Sequence, residues 1–223
     1  MIQRFALVAA PLALLAACGP ADKPAAPASA PAAPSAQVTD AVDPGRPTAP
    51  VARFTPYEGG PLALDEYAVG PIAAQTPFRL EAIQARFPKA QVKSAFLHGA
   101  GDANTPIITV DQGGTGVLEV SGDPSTGMVG EIRVAGGPAA GPRGETLLMK
   151  WSAADMDLPR CRMGQGRDRY GVICTQPGEP VLRYVFGVPG WTKDELPPAD
   201  VLAAKAFLRE FVWKSGAGGY AAP

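Results

Sequence analysis

Histidine is almost missing: His98 is the single one in 223 residues. A serine hydrolase of the usual kind needs a histidine to take the nucleophile's proton and a carboxylate to orient it. His98 ends a predicted strand beside Gly99-Ala100-Gly101, and no Gly-x-Ser-x-Gly elbow accompanies it, so it reads as a solvent-facing residue. Cysteine is also scarce, at three. A zinc site wants three or four Cys, His or carboxylate ligands, which this supply does not meet, so no metal site is expected. Calcium would need a denser ladder of oxygens than Asp102-Ala103-Asn104 or Asp155-Met156-Asp157 offers, and each reads as a turn. Gly113-Gly114-Thr115-Gly116 lacks the Lys-Ser/Thr ending of a phosphate cradle and reads as a hairpin turn. No cofactor is expected. There is no basic excess either: Lys+Arg 20 against Asp+Glu 21 leaves a net charge of −1. A nucleic-acid partner is therefore not expected.

What is present begins with Met1-Ile2-Gln3-Arg4, followed by an uncharged apolar run from Phe5 to Ala17. That run is shorter than the roughly 20 residues a membrane-spanning helix requires, and it reads as a signal peptide over residues 1–17. Its end, Leu15-Ala16-Ala17-Cys18-Gly19, resembles the lipobox of bacterial lipoproteins, in which the cysteine receives the lipid. The resemblance implies lipidation of Cys18 and a membrane partner reached through that N-terminal lipid. Several acyl chains would hold durably where one holds only marginally. Because Gly19 and not Asp follows the cysteine, the same resemblance implies the outer membrane, on its periplasmic side.

Residues 18–52 carry Pro20, Pro24, Pro27, Pro31, Pro34, Pro44, Pro47 and Pro50 among Ala, Ser and Thr. Such composition forms no packed core. Proline holds the backbone extended at about 3.1 Å per residue, so the stretch reads as a disordered, semi-rigid tether. Residues 53–214 hold the apolar residues needed for a folded, β-rich periplasmic domain, and 215–223 read as a flexible tail. The 26 Gly and 25 Pro of the chain favour many short elements joined by turns over a helical bundle.

With Cys18 committed to lipid, Cys161 and Cys174 remain as an even pair in an oxidising compartment, and a disulfide between them is expected. A redox or metal pair would want the tighter Cys-x-x-Cys spacing.

Glu66 to Ile72 predicts a first strand. Thr76-Pro77 offers an N-cap followed by proline at the first helical position, and Phe78, Leu80, Ile83 and Phe87 recur on one face, so the spacing predicts a helix over Pro77 to Phe87. Short alternating runs at Gln91–Leu97, Ile107–Asp111, Val117–Ser121 and Met128–Ala135 follow, separated by Gly-rich turns, in the pattern of a β-meander. In the last of these, Met128, Ile132 and Val134 share a face with Gly130, opposite a wet face bearing Glu131 and Arg133. Glu145–Trp151 is a short apolar run. Tyr170–Cys174 and Val181–Gly187 read as two strands, Pro197 to Asp200 starts a helix, and Phe207–Trp213 fits a closing strand, although Val201, Leu208 and Val212 also share a helical face. The fold class expected is α+β: a predominantly antiparallel sheet with one or two short helices.

The order Gly130-Glu131-Ile132-Arg133-Val134, then Cys161 to Cys174, Tyr184-Val185-Phe186, Leu196 to Leu202 and Phe211-Val212-Trp213-Lys214 resembles the envelope-stress (sigma-E-regulated) lipoprotein family. Val69-Gly70-Pro71-Ile72 and Thr76-Pro77-Phe78 are similar too, so the resemblance covers most of residues 60 to 214. The family has no assigned biochemical role. The resemblance therefore supports the anchor and the compartment and carries over no catalytic residue.

One cluster stands out. Arg160, Arg162, Arg167 and Arg169 crowd around the cysteine pair with Asp168 among them, and such a group can bind phosphate or carboxylate. The plainer alternative is a solvated loop. The reading of the whole chain is a lipid-anchored, non-catalytic envelope module with a possible envelope-protein or cell-wall partner. Its alternatives are a glycan or anionic-ligand binder and a cell-wall hydrolase with acidic catalysts, for which no pair of carboxylates can be nominated.

Overall fold

The computed structural model describes residues 54–98, 104–113, 116 and 118–216. The predicted signal peptide, Cys18 and the tether to residue 52 lie outside the described residues, as do Asp102 and most of the predicted tail.

The elements in chain order are the strands β1 (Leu62–Ala63), β2 (Ala68–Val69) and β3 (Ile72–Ala73), the helix α1 (Leu80–Arg86), then β4 (Gln91–His98), β5 (Asn104–Asp111), β6 (Leu118–Gly122), β7 (Val129–Val134), β8 (Ala139–Ala140), β9 (Cys161–Met163), β10 (Gly171–Gln176), β11 (Glu179–Gly187), the helix α2 (Ala199–Lys205) and β12 (Phe207–Lys214). The expected α+β class holds: one eight-stranded sheet in the order β4-β5-β6-β7-β12-β11-β10-β9 dominates, and its neighbouring strands are all antiparallel. Two meanders, β4 to β7 and β9 to β12, meet where the last strand β12 pairs with β7.

Several local expectations need correction. The predicted first strand is a tight hairpin, β2 and β3 pairing across Gly70-Pro71. Gly70 has φ +55°, and a Cβ there would lie 2.3 Å from Leu62 Cδ1, so this turn needs glycine for both backbone and space. Thr76 does not cap the helix. Its Oγ1 accepts from the Ala73 N–H and from Arg86 Nε, and Pro77 bridges Met128, which holds the chain extended until Arg79. The apolar run Glu145–Trp151 forms turns in which Leu148, at φ +69°, projects outward.

The inner face of the sheet carries the core: Val120, Ile132, Val134, Phe211, Trp213, Leu182, Tyr184, Phe186, Val172 and Cys174. Ile83 of α1, Phe87 just after it and Leu202 of α2 belong to the same buried cluster, as do Leu62, Val69 and Ile72 of the small strands. Each such side chain contributes about 1.5–3 kcal/mol when fully buried.

The closing segment is a strand and not a continued helix. Its register slips between Val185 and Phe186 of β11: Val185 faces Glu210, whereas Phe186 faces Leu208. The extra residue, Arg209, is a bulge. Leu208 and Phe211 consequently point to the same buried face although they lie three apart, while Val212, which shares a helical face with Leu208 and Val201 in the sequence, lies on the outer face of the sheet.

Candidate ligand-binding face

The bulge at Arg209 also turns Glu210 to the outer face of the sheet. There the strand register sets out two rows. Glu119, Arg133, Val212, Arg183 and Thr175 lie opposite one another across β6, β7, β12, β11 and β10. Beside them run Glu210, Val185, Ile173 and Arg162 across β12, β11, β10 and β9. Ile173, Val185 and Val212 form a small second apolar cluster in the middle of this face.

Arg133 therefore does not sit on a wet face. It is 6% exposed and Glu210 5%. Arg133 Nε donates to Glu210 Oε1 at 2.9 Å and Nη2 to Oε2 at 2.7 Å, a bidentate pair. Nη2 also pairs with Asp168, and Nη1 donates to Glu131 Oε1 at 3.3 Å. Lys214 Nζ reaches the other oxygen of Glu131 at 2.6 Å. Burial by itself would lower the pKa of Arg133; the hydrogen bond and charge of Glu210, then those of Asp168, outweigh it and raise the value above that of an ordinary arginine.

Asp168 arrives from the loop between β9 and β10, which folds back over the face. The loop is closed by Gly164 N–H donating to the Gly171 carbonyl at 2.8 Å, and Gly166–Asp168 forms a 3-10 turn within it. A Cβ on Gly164 would stand 2.2 Å from the Asp168 carbonyl oxygen, so the backbone passes itself there at the closest approach glycine permits.

The predicted disulfide is present. Cys161 and Cys174 are direct cross-strand partners on β9 and β10, with Cα atoms 4.1 Å apart.

The predicted arginine cluster divides. Arg167 makes a two-pronged pair with Glu119 of β6, helping to hold the loop down. Arg169 pairs with Asp194 through Nε at 3.3 Å and Nη2 at 3.2 Å and lies over the Tyr170 ring. Both are already engaged. Arg160 and Arg162 instead line a groove of about 300 Å³ with Pro159, Cys161, Ile173, Thr175 and Arg183. Arg183 was not singled out from the sequence; its only trace there is one charge in the apolar run Val181–Val185. The Arg133–Glu210 pair was equally unannounced, and a cavity of about 50 Å³ lies beside it, lined by Asp168, Arg183 and Lys214 among others. His98 is exposed at the end of β4, its Nδ1 2.7 Å from Asn104 Oδ1.

Neither protein-family models nor curated proteins give a match to this chain. Among solved structures it is similar to the crystal structure of the uncharacterized protein yfeY from Escherichia coli, with a TM-score of 0.57 and 19% identity over 70% of this chain and 99% of that one. That likeness is one of fold.

Proposed function

We propose that this chain is a lipid-anchored envelope lipoprotein, held by Cys18 in the outer membrane and facing the periplasm, whose folded domain is a non-catalytic binding module on a proline-rich tether. Membership of the envelope-stress lipoprotein family is part of the same reading. The sequence Leu15-Ala16-Ala17-Cys18-Gly19, the proline-rich stretch after it and a fold similar to that of yfeY support it.

The observation that carries the binding half is the engagement of the buried charges with one another. Glu210 and Asp168 are the buried carboxylates of the outer face, and both have oxygens occupied by Arg133. The cavity beside them, about 50 Å³, admits a water or two and no sugar ring. A glycosidase needs two carboxylates flanking a bound saccharide. This face offers instead an immobilised platform with an open arginine groove at its side.

The anchoring half is tested in a Gram-negative host by metabolic labelling with a fatty acid and by fractionation. The chain is expected to incorporate label and to sediment with the outer membrane, and Cys18→Ser to lose both. An unlabelled wild-type chain, or a Cys18→Ser chain still sedimenting with the membrane, overturns the anchor. In-cell cross-linking tests the binding half: a specific envelope-protein or cell-wall adduct is expected, and cell-wall cleavage by the purified chain overturns the non-catalytic assignment.

A further inference from the structure

Among the described residues, the groove between β9 and β11 is chemically distinct. Arg162 lies opposite Ile173, and Arg183 opposite Thr175, so the two arginines flank β10 on its outer face, one strand to each side and offset by two residues. Neighbouring strands lie about 4.8 Å apart, so β9 and β11 stand roughly 10 Å apart across β10, a span that two long arginine side chains can close from either side. Arg160 joins them from the 3-10 turn Leu158–Arg160. Among the described residues, none of the three has a carboxylate partner within salt-bridge distance, although Arg133, Arg143, Arg167, Arg169 and Arg209 all do. Three uncompensated guanidinium groups thus line one concavity whose floor is the apolar Ile173 and the hydroxyl-bearing Thr175.

We infer that this groove, built from Arg160, Arg162 and Arg183, binds a phosphomonoester. A guanidinium fork matches two oxygens at a time, and a phosphate dianion presents three oxygens in a tripod while neutralising two of the three charges. A carboxylate offers two oxygens in one plane and one charge. The groove is larger than a bare phosphate requires, so the ligand carries a small group, such as a sugar ring, over Ile173. The disulfide fixes Cys161 beside Arg162 to Cys174 of β10, and so prevents the edge strand from splaying and opening the groove. This assignment deepens the binding module proposed above by naming the ligand chemistry. The phosphate can come from a soluble sugar phosphate or from a phosphorylated lipid headgroup.

The test is calorimetric titration of the full chain in detergent solution with glucose 1-phosphate and with dihexanoyl phosphatidic acid, acetate serving as the comparison anion. Either phosphomonoester is expected to bind and acetate to bind far more weakly; the tighter of the two names the source. Affinity should rise as pH increases through about 6, where the phosphate takes its second charge. Arg162→Gln and Arg183→Gln are each expected to weaken binding about tenfold or more, the scale of a charged hydrogen bond. Lys193→Gln, which removes the same charge at an exposed site away from the groove, should leave affinity unchanged. Arg160→Gln, on an exposed turn, covers the case in which a strand variant misfolds. Equal binding by wild type and the folded arginine variants, or no binding of either phosphomonoester, overturns the assignment. Because neither result depends on Cys18 or on location in the cell, a chain that fractionates with the membrane but ignores phosphate sinks the groove alone.

Discussion

Arg133 and Glu210, 77 residues apart in sequence, close a bidentate ion pair on the outer face of the sheet while both are buried. Removing Arg133 leaves Glu210 charged, desolvated and without its partner, whereas removing Glu210 leaves Arg133 still paired with Asp168 and Glu131. Arg133→Ala should therefore cost about 3–5 kcal/mol, read as a lower urea midpoint, whereas replacing the set by apolar residues (Arg133→Met, Glu210→Leu, Asp168→Leu) should cost far less. Equal losses in the two variants would show that the charges matter for their packing volume only.

Acid should loosen the same region through Glu131. Burial pushes its carboxyl upward, but the hydrogen bond and charge of Lys214 and then those of Arg133 bring it below the usual glutamate range. A lowered native value means that the stabilisation is fully present above the unfolded-state range near pH 4.3 and is lost as pH falls through the native value. Urea midpoints measured from pH 7 downward should fall less steeply below pH 4 in Glu131→Gln than in the wild type.

Gly164→Ala tests the loop. Its new Cβ collides with the Asp168 carbonyl, so the 3-10 turn must move and carry Asp168 off Arg133. A loss of about 1–3 kcal/mol is expected. Since Gly164→Ala and Asp168→Asn disturb one contact, the double variant should lose less than the sum of the two, by a double-mutant cycle.

Replacing Cys161 and Cys174 together by alanine should cost about 3 kcal/mol of unfolding free energy, from the loop-closure entropy of a bridge spanning a 13-residue separation. Reductant should lower the urea midpoint of the wild type and leave that of the double variant where it is. If the groove depends on a pinned edge strand, phosphate affinity should fall in the alanine variant before the domain unfolds.

Much of this was written locally. Alternation in residues 91–98 and 129–134, glycine-rich turns between them and two cysteines left over in a lipoprotein-like chain are short-range signals, and each led to the element observed. The compositional signal of the proline-rich stretch is equally local. Tertiary structure decided the rest. Phe207–Trp213 reads both as strand and as helix because β12 buries apolar residues on both faces, Leu208 inward and Val212 outward, and a one-residue bulge at Arg209 resets the period of two; a bulge exists only with respect to the partner strand β11. That bulge sent Glu210 to Arg133, whose buried partners lie 35 and 77 residues away. It is the same sheet register that separated four neighbouring arginines into two already paired with acids and two that open, with Arg183 from another strand, onto a groove. Local residue order set which segments extend, turn and cross-link. Which charges would meet was left to strand order, since pairing across a sheet joins residues that no local spacing connects.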